Sequence, residues 1–151
     1  MVSAKELRLE LLSTYAVDLF VEPVPSAAKG GVLVADHHPA VRRGLVRFLG
    51  LAGFEVVGAA EDGAEAVKLV AQLRPQLVTT CIRMPTMDGL AATALIRERS
   101  PETQVVVLTA YKDEAFRREA RAAGAARYLV KSETTAQGLP DVLRSVMARE
   151  R

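Results

Sequence analysis

Leu77-Val78-Thr79-Thr80-Cys81-Ile82-Arg83-Met84-Pro85-Thr86-Met87-Asp88-Gly89 is the stretch that decides how this chain folds. Leu77 to Ile82 is a short run of the length of a buried strand, stopped by Arg83 and Pro85. Gly89 to Arg99 then carries a helical pattern, closed by Ser100-Pro101. Strand, loop and helix in that order make one unit of an α/β fold.

The same unit recurs outward on both sides. Upstream, Val32 to Ala35 is an apolar run ending at Asp36, as a buried parallel strand would. Pro39 to Leu51 is helical, with Val41, Leu45, Val46, Phe48 and Leu49 as its apolar set, and Gly53 ends it. Phe54 to Ala59 is a second strand, and Ala64 to Leu73 a helix ended by Arg74-Pro75. Downstream come a strand at Val105 to Thr109, a helix at Glu114 to Ala123 with Gly124 as its C-cap, and a strand at Ala126 to Val130. The last helix runs to about Ala148, starting either near Thr135 or at Pro140, which a first turn permits.

Five strands alternating with five helices predict a parallel sheet covered on both faces, in the flavodoxin-like order 2-1-3-4-5. Such sheets bind ligands at the carboxyl ends of their strands. That rule gathers Asp36, His37, Cys81, Thr109 and Lys131, each at a strand end.

Residues 1–30 stand apart from the domain at 31–151. Leu7, Leu11, Leu12, Tyr15, Ala16, Leu19 and Phe20 fit one face of a helix over residues 1–21. Ser3 and Glu6 have capping-box spacing, and Pro23 and Pro25 stop the pattern. Ser26 to Gly31 reads as a linker. This extra helix either packs back on the domain or pairs with another chain.

The 151 residues are half hydrophobic, enough for a full core. Twenty Lys and Arg against 18 Asp and Glu give a net charge of +2, which does not by itself point to nucleic acid. A single cysteine excludes an internal disulfide and suits a reducing compartment. No apolar run approaches the roughly 18 residues of a membrane span, and the charged N-terminus is not a signal peptide. A cytoplasmic protein with no membrane contact is expected.

In combination, these motifs resemble response-regulator receiver domains over about residues 31–148. Met84-Pro85 followed by Met87-Asp88-Gly89 is the most specific part, supported by Thr109-Ala110, by Gly124-Ala125, and by Lys131 at the end of the fifth strand. The loop Asp36-His37-His38-Pro39 matches the family's acidic loop. The resemblance implies that position 81 is the phosphoacceptor position. It also implies that Thr109 would contact a phosphoryl group, that Lys131 would pair with the acceptor, and that Tyr128 is the aromatic that changes rotamer on activation. It is to receivers carrying a C-terminal helix-turn-helix domain. DNA contact is therefore expected only through such an output domain, which is not among these residues.

Two departures fall on the reaction centre. Cys81 stands where the family has the acceptor aspartate, and His37 where it has a second acidic residue. Phosphoryl transfer of this kind needs a carboxylate nucleophile and Mg²⁺, a hard cation that wants oxygen ligands. Three carboxylates and a lysine become Asp36 and Lys131, a formal charge near zero. Each charge lost at about 4 Å removes roughly 4 kcal/mol of attraction at an effective dielectric near 20. No Mg²⁺ site, no cofactor and no catalytic residue are expected.

The expected function is a non-enzymatic, phosphorylation-independent receiver acting in transcription control. It would act by homodimerisation or by docking a protein partner through the fourth and fifth helices. Arg117, Arg118, Arg121 and Arg127 read either as a solvated face or as that surface. One alternative is a sensor acting through Cys81, by oxidation or at a soft-metal site built from Asp36, His37 or His38 and Cys81. Another is an ordinary receiver inactivated by substitution. Otherwise Cys81 is a small buried side chain and Lys131 an ion-pair partner of Asp36.

Overall fold

The computed structural model describes residues 31–149. The helix expected over residues 1–21 lies outside them. Five parallel strands form one sheet in the order β2-β1-β3-β4-β5. They are β1 (Gly31–Ala35), β2 (Glu55–Ala60), β3 (Leu77–Thr80), β4 (Gln104–Thr109) and β5 (Arg127–Val130). The helices are α1 (Pro39–Leu51), α2 (Gly63–Leu73), α3 (Gly89–Arg99), α4 (Glu114–Ala123) and α5 (Gly138–Arg149). Both the α/β class and the 2-1-3-4-5 order agree with the sequence reading.

Alternation along the strands divides the core between two faces. Val32 and Val34 of β1 pack with Leu49 of α1 and with Leu139, Leu143 and Val146 of α5. Leu33 and Ala35 point the other way, onto Ala66, Leu69 and Val70 of α2 and Ile96 of α3. Val107, Tyr128 and Val130 pack against Ala120 of α4. The central strands are apolar on both sides because helices cover both. No described helix is long and apolar enough to cross a membrane.

Most element ends fall within a residue of their expected positions, with two informative differences. β3 stops at Thr80, not at Ile82. Its neighbour registers end at Ala35–Thr80 and Thr80–Val107, and the Cys81 N–H makes one further bond to the Ala35 carbonyl, 3.2 Å. Cys81 thus sits just past the strand, where the chain starts to turn. After β5 a short 3₁₀ turn, Lys131–Glu133, precedes α5. α5 begins at Gly138, between the two expected starts, with Thr135 Oγ1 accepting from the Gly138 N–H. Asp62, Asp88 and Asp113 each accept a backbone N–H at the head of α2, α3 and α4. Each satisfies a donor that the helix cannot.

Candidate functional site: a pocket at the carboxyl edge of the sheet

Asp36 is the fixed point of the site. It is 1% exposed and both carboxylate oxygens are engaged. Oδ1 accepts the His38 N–H at 3.0 Å, and Oδ2 lies 3.3 Å from Lys131 Nζ. The Arg42 guanidinium, one turn into α1, donates to the Asp36 carbonyl at 2.8 Å. A buried carboxylate is tolerable only when paired and hydrogen-bonded, and here it is both.

Cys81 borders this pair. It is 9% exposed, and its thiol lies 3.6 Å from the Arg83 carbonyl. Burial pushes the thiol pKa up. The His37 backbone N–H and the Lys131 charge oppose that rise, while the Asp36 charge adds to it. The net direction keeps sulfur as a neutral thiol and works against thiolate chemistry.

The structure brings Asp36, Cys81 and Lys131 into one electrostatic group. It does not do the same with the His37 side chain. That residue offers Cys81 its backbone N–H, while its imidazole is exposed and faces His38, ring centroids 5.4 Å apart. No group of three His, Cys, Asp or Glu side chains among the described residues is placed to hold a metal ion.

Thr109 ends β4 and is 1% exposed. Its Oγ1 accepts the Tyr111 N–H at 3.1 Å. Tyr128, 9% exposed, donates its hydroxyl to the Tyr111 carbonyl at 2.7 Å. Burial pushes its phenol pKa up, against the nearby Arg117. The Arg117 guanidinium stacks 4.8 Å from the Tyr128 ring centroid and reaches the Tyr128 carbonyl. Tyr111 is therefore gripped from both sides of its own backbone, by Thr109 and by Tyr128. Its ring meets Phe116 edge-on and lies under Arg83. Tyr111 and Arg42 were not singled out in the sequence. Tyr111 meets Tyr128 and Arg83 across the fold, and Arg42 reaches a backbone carbonyl six residues back; no spacing rule signals either.

The loop after β3 is held by its backbone. The Gly89 N–H donates to the Ile82 carbonyl at 2.7 Å, and a Cβ at Gly89 would sit 1.8 Å from the Cys81 carbonyl oxygen. The Gly63 N–H donates to the Met87 carbonyl, and a Cβ there would lie 2.3 Å from it. Between them Thr86 adopts φ 68°, with the Met87 N–H closing a tight turn on the Pro85 carbonyl.

A parallel sheet of order 2-1-3-4-5, with Asp36, Thr109 and Lys131 at its carboxyl edge, defines a receiver-type signalling module. The family model described as the response regulator receiver domain matches residues 32–142. The chain belongs to the response regulator receiver domain family.

Among its relatives is a probable transcriptional regulatory protein, NarL, of Mycobacterium tuberculosis. The two are 36% identical over 127 residues, covering 83% of this chain and 59% of that protein. The response regulator GacA of Pseudomonas aeruginosa is 36% identical over 121 residues, covering 80% and 56%. This chain thus spans less than two thirds of these curated relatives' own length. The solved receiver domain of the M. tuberculosis NarL superposes with a TM-score of 0.75 at 35% identity, covering 80% of this chain and 97% of that one. A LuxR-family DNA-binding response regulator from Staphylococcus aureus gives 0.74 at 26% identity, covering 78% and 98%.

Proposed function

We propose that this chain is a receiver module that works without aspartyl phosphorylation. It would hold its output surface in one state and act in transcription control through a protein partner or a second copy. The observation that carries this reading is the Lys131–Asp36 pair beside a buried, neutral Cys81. The position expected to accept phosphate offers no carboxylate. The lysine expected to pair with a phosphorylated acceptor already has a partner.

The donor set also fits Mg²⁺ poorly. One carboxylate, with both oxygens engaged, a thiol and an outward imidazole do not make an octahedral oxygen site. Meanwhile the Thr109–Tyr111–Tyr128 linkage is complete, with Tyr128 turned inward. That supports a switch region set by packing. The surface beyond it carries Arg117, Arg121 and Arg127 around a cleft of about 160 Å³ between α4 and β5, the face expected to meet a partner or a second copy. In this reading the module is non-enzymatic and cytoplasmic, and reaches DNA only through an output domain.

The parent protein and one double variant test this. The parent protein is expected to take up no phosphoryl group from acetyl phosphate with Mg²⁺, by intact mass. Cys81→Asp combined with His37→Asp is expected to restore both Mg²⁺ binding and a labile phosphoryl adduct. A stable adduct on the parent chain would sink the proposal.

The Cys81 sensor is the second reading. The thiol's proximity to Lys131 favours it, and its burial and raised pKa oppose it. Rapid reaction of the folded protein with a thiol reagent at neutral pH would turn the choice in its favour.

A further inference from the structure

Three guanidinium groups meet where α4 passes the start of β5. Arg117 and Arg121 stand one turn apart on α4, and Arg127 opens β5, the edge strand of the sheet. With Ala120 and Tyr128 they line the cleft of about 160 Å³, and no acidic side chain lines it.

The three differ in how they are held. Arg117 is one-third exposed, stacks on the Tyr128 ring and reaches the Tyr128 carbonyl at 3.4 Å. It meets the Glu114 carboxylate at 3.7 Å, but that side chain is 71% exposed. An ion pair so open to water is weak and can be exchanged for another. Arg121 and Arg127 are exposed, and among the described residues neither has an acidic partner. The cleft therefore offers one guanidinium already fixed by its own domain and two that are free.

This pattern selects among occupants. A two-fold contact sets the same patch against itself. Here that would press three arginines onto three arginines, with no acidic lining residue to answer them, and like charges across an interface repel. A nucleic-acid backbone calls for a longer run of cations. Glu114 and Glu119 interrupt the run on α4, and the whole chain carries a net charge of only +2. A carboxylate suits the cleft better, because guanidinium forks take it in bidentate fashion. A carboxylate is also what Arg117 already meets at the rim.

We propose that the α4–β5 cleft docks an acidic segment of another protein, one carboxylate seated among Arg117, Arg121 and Arg127, and does not join two copies of this chain. This inference rests on the reading of that face as the one that meets a partner, and it narrows the partner by charge.

Titration of the full chain with an octaglutamate peptide, followed by amide NMR shifts, tests it. Shifts are expected in α4 and β5. Arg121→Glu combined with Arg127→Glu is expected to weaken the Kd by about tenfold or more. Both positions are exposed, so the fold survives the change. Arg43→Glu combined with Arg47→Glu makes the same change of charge on α1 and is expected to leave the Kd unchanged. An equal loss in the two pairs overturns the proposal, because net charge alone would then hold the peptide. Absence of binding also overturns it, as does equally tight binding of free glutamate or tighter binding of a short DNA duplex at the same salt. A parent dimer that falls to monomer mass in the Arg121 and Arg127 variant overturns it and assigns the face to a second copy. The titration uses neither acetyl phosphate nor Mg²⁺, so its failure leaves the phosphorylation-independent reading intact, and phosphoryl uptake by the parent would sink that reading alone.

Discussion

Lys131 Nζ lies 3.3 Å from Asp36 Oδ2, joining the ends of β5 and β1 across the pocket with Cys81 beside the pair. The lysine is one-third exposed and the carboxylate almost wholly buried, so losing the partner would strand the Asp36 charge while Lys131 could still reach water. Asp36→Asn is expected to cost about 1–2 kcal/mol in urea denaturation, discounted for the solvent that reaches Lys131. It should also speed Cys81 modification, because the Asp36 charge raises the thiol pKa while Lys131 lowers it. Slower or unchanged thiol kinetics would contradict this coupling.

The pH dependence of stability carries the signature of Cys81. Its folded pKa is raised by burial, so the native state holds the proton longer than the unfolded chain. The contribution is complete below the unfolded pKa of about 8.5 and is lost as pH climbs through the folded value. The parent protein should therefore lose more stability between about pH 8.5 and 10 than Cys81→Ala does. Tyr128 titrates in both proteins, so the difference isolates the thiol. Parallel curves would remove Cys81 from the account.

Two threonines of the core should respond with opposite sign. Thr79 Oγ1 is buried without a hydrogen-bond partner among the described residues. Thr103 Oγ1 donates to the Pro75 carbonyl at 2.8 Å. Thr79→Val is expected to stabilise by about 1 kcal/mol, since it removes an unmet desolvation cost. Thr103→Val is expected to destabilise by about 1–2 kcal/mol. Chemical denaturation of the two variants measures both, and equal signs would overturn the assignment.

Tyr128→Phe keeps the ring under Arg117 and deletes the bond to the Tyr111 carbonyl. A loss of about 1 kcal/mol is expected. Faster exchange should be confined to amides near Tyr111, with β1 and β2 unaffected. A uniform change across the sheet would show that the hydroxyl does not act locally.

Gly89→Ala is expected to cost at least about 3 kcal/mol, since its Cβ would overlap the Cys81 carbonyl and no side chain can move aside to relieve it. Gly44→Ala, in open space on α1, should gain about 0.5–1 kcal/mol. Thermal melts of the pair provide the comparison.

The fold was legible because the strand signals are local. Val32–Ala35 and Val105–Thr109 are short apolar runs bounded by turn residues, and the helices between them carry their own stops. The overlong β3 came from reading Cys81 and Ile82 as a continuing apolar run. Pairing with both neighbours ends at Thr80, and composition does not report that. The first turn of α2 is fixed by Asp62 and Glu65, which accept the Glu65 N–H and the Glu61 N–H respectively, a pair that the expected start at Ala64 did not use.

The candidate site was legible as a set of strand ends, but not as a set of side-chain directions. His37 shares the loop with Asp36, yet its ring points outward and only its backbone meets Cys81. The grip on Tyr111 joins three segments, so its partners are set by the packing of β4, β5 and α4.

The loop after β3 is fixed by Gly89, Gly63 and the Cys81 N–H, all through main-chain atoms. The main-chain bonds of that corner do not run through the Cβ of residue 81, whose thiol adds one contact, 3.6 Å to the Arg83 carbonyl. A socket specified by its rim can lose its plug and stay the same socket. Evolution, or an experimenter, can exchange the chemistry at position 81 while the surfaces above it keep their form.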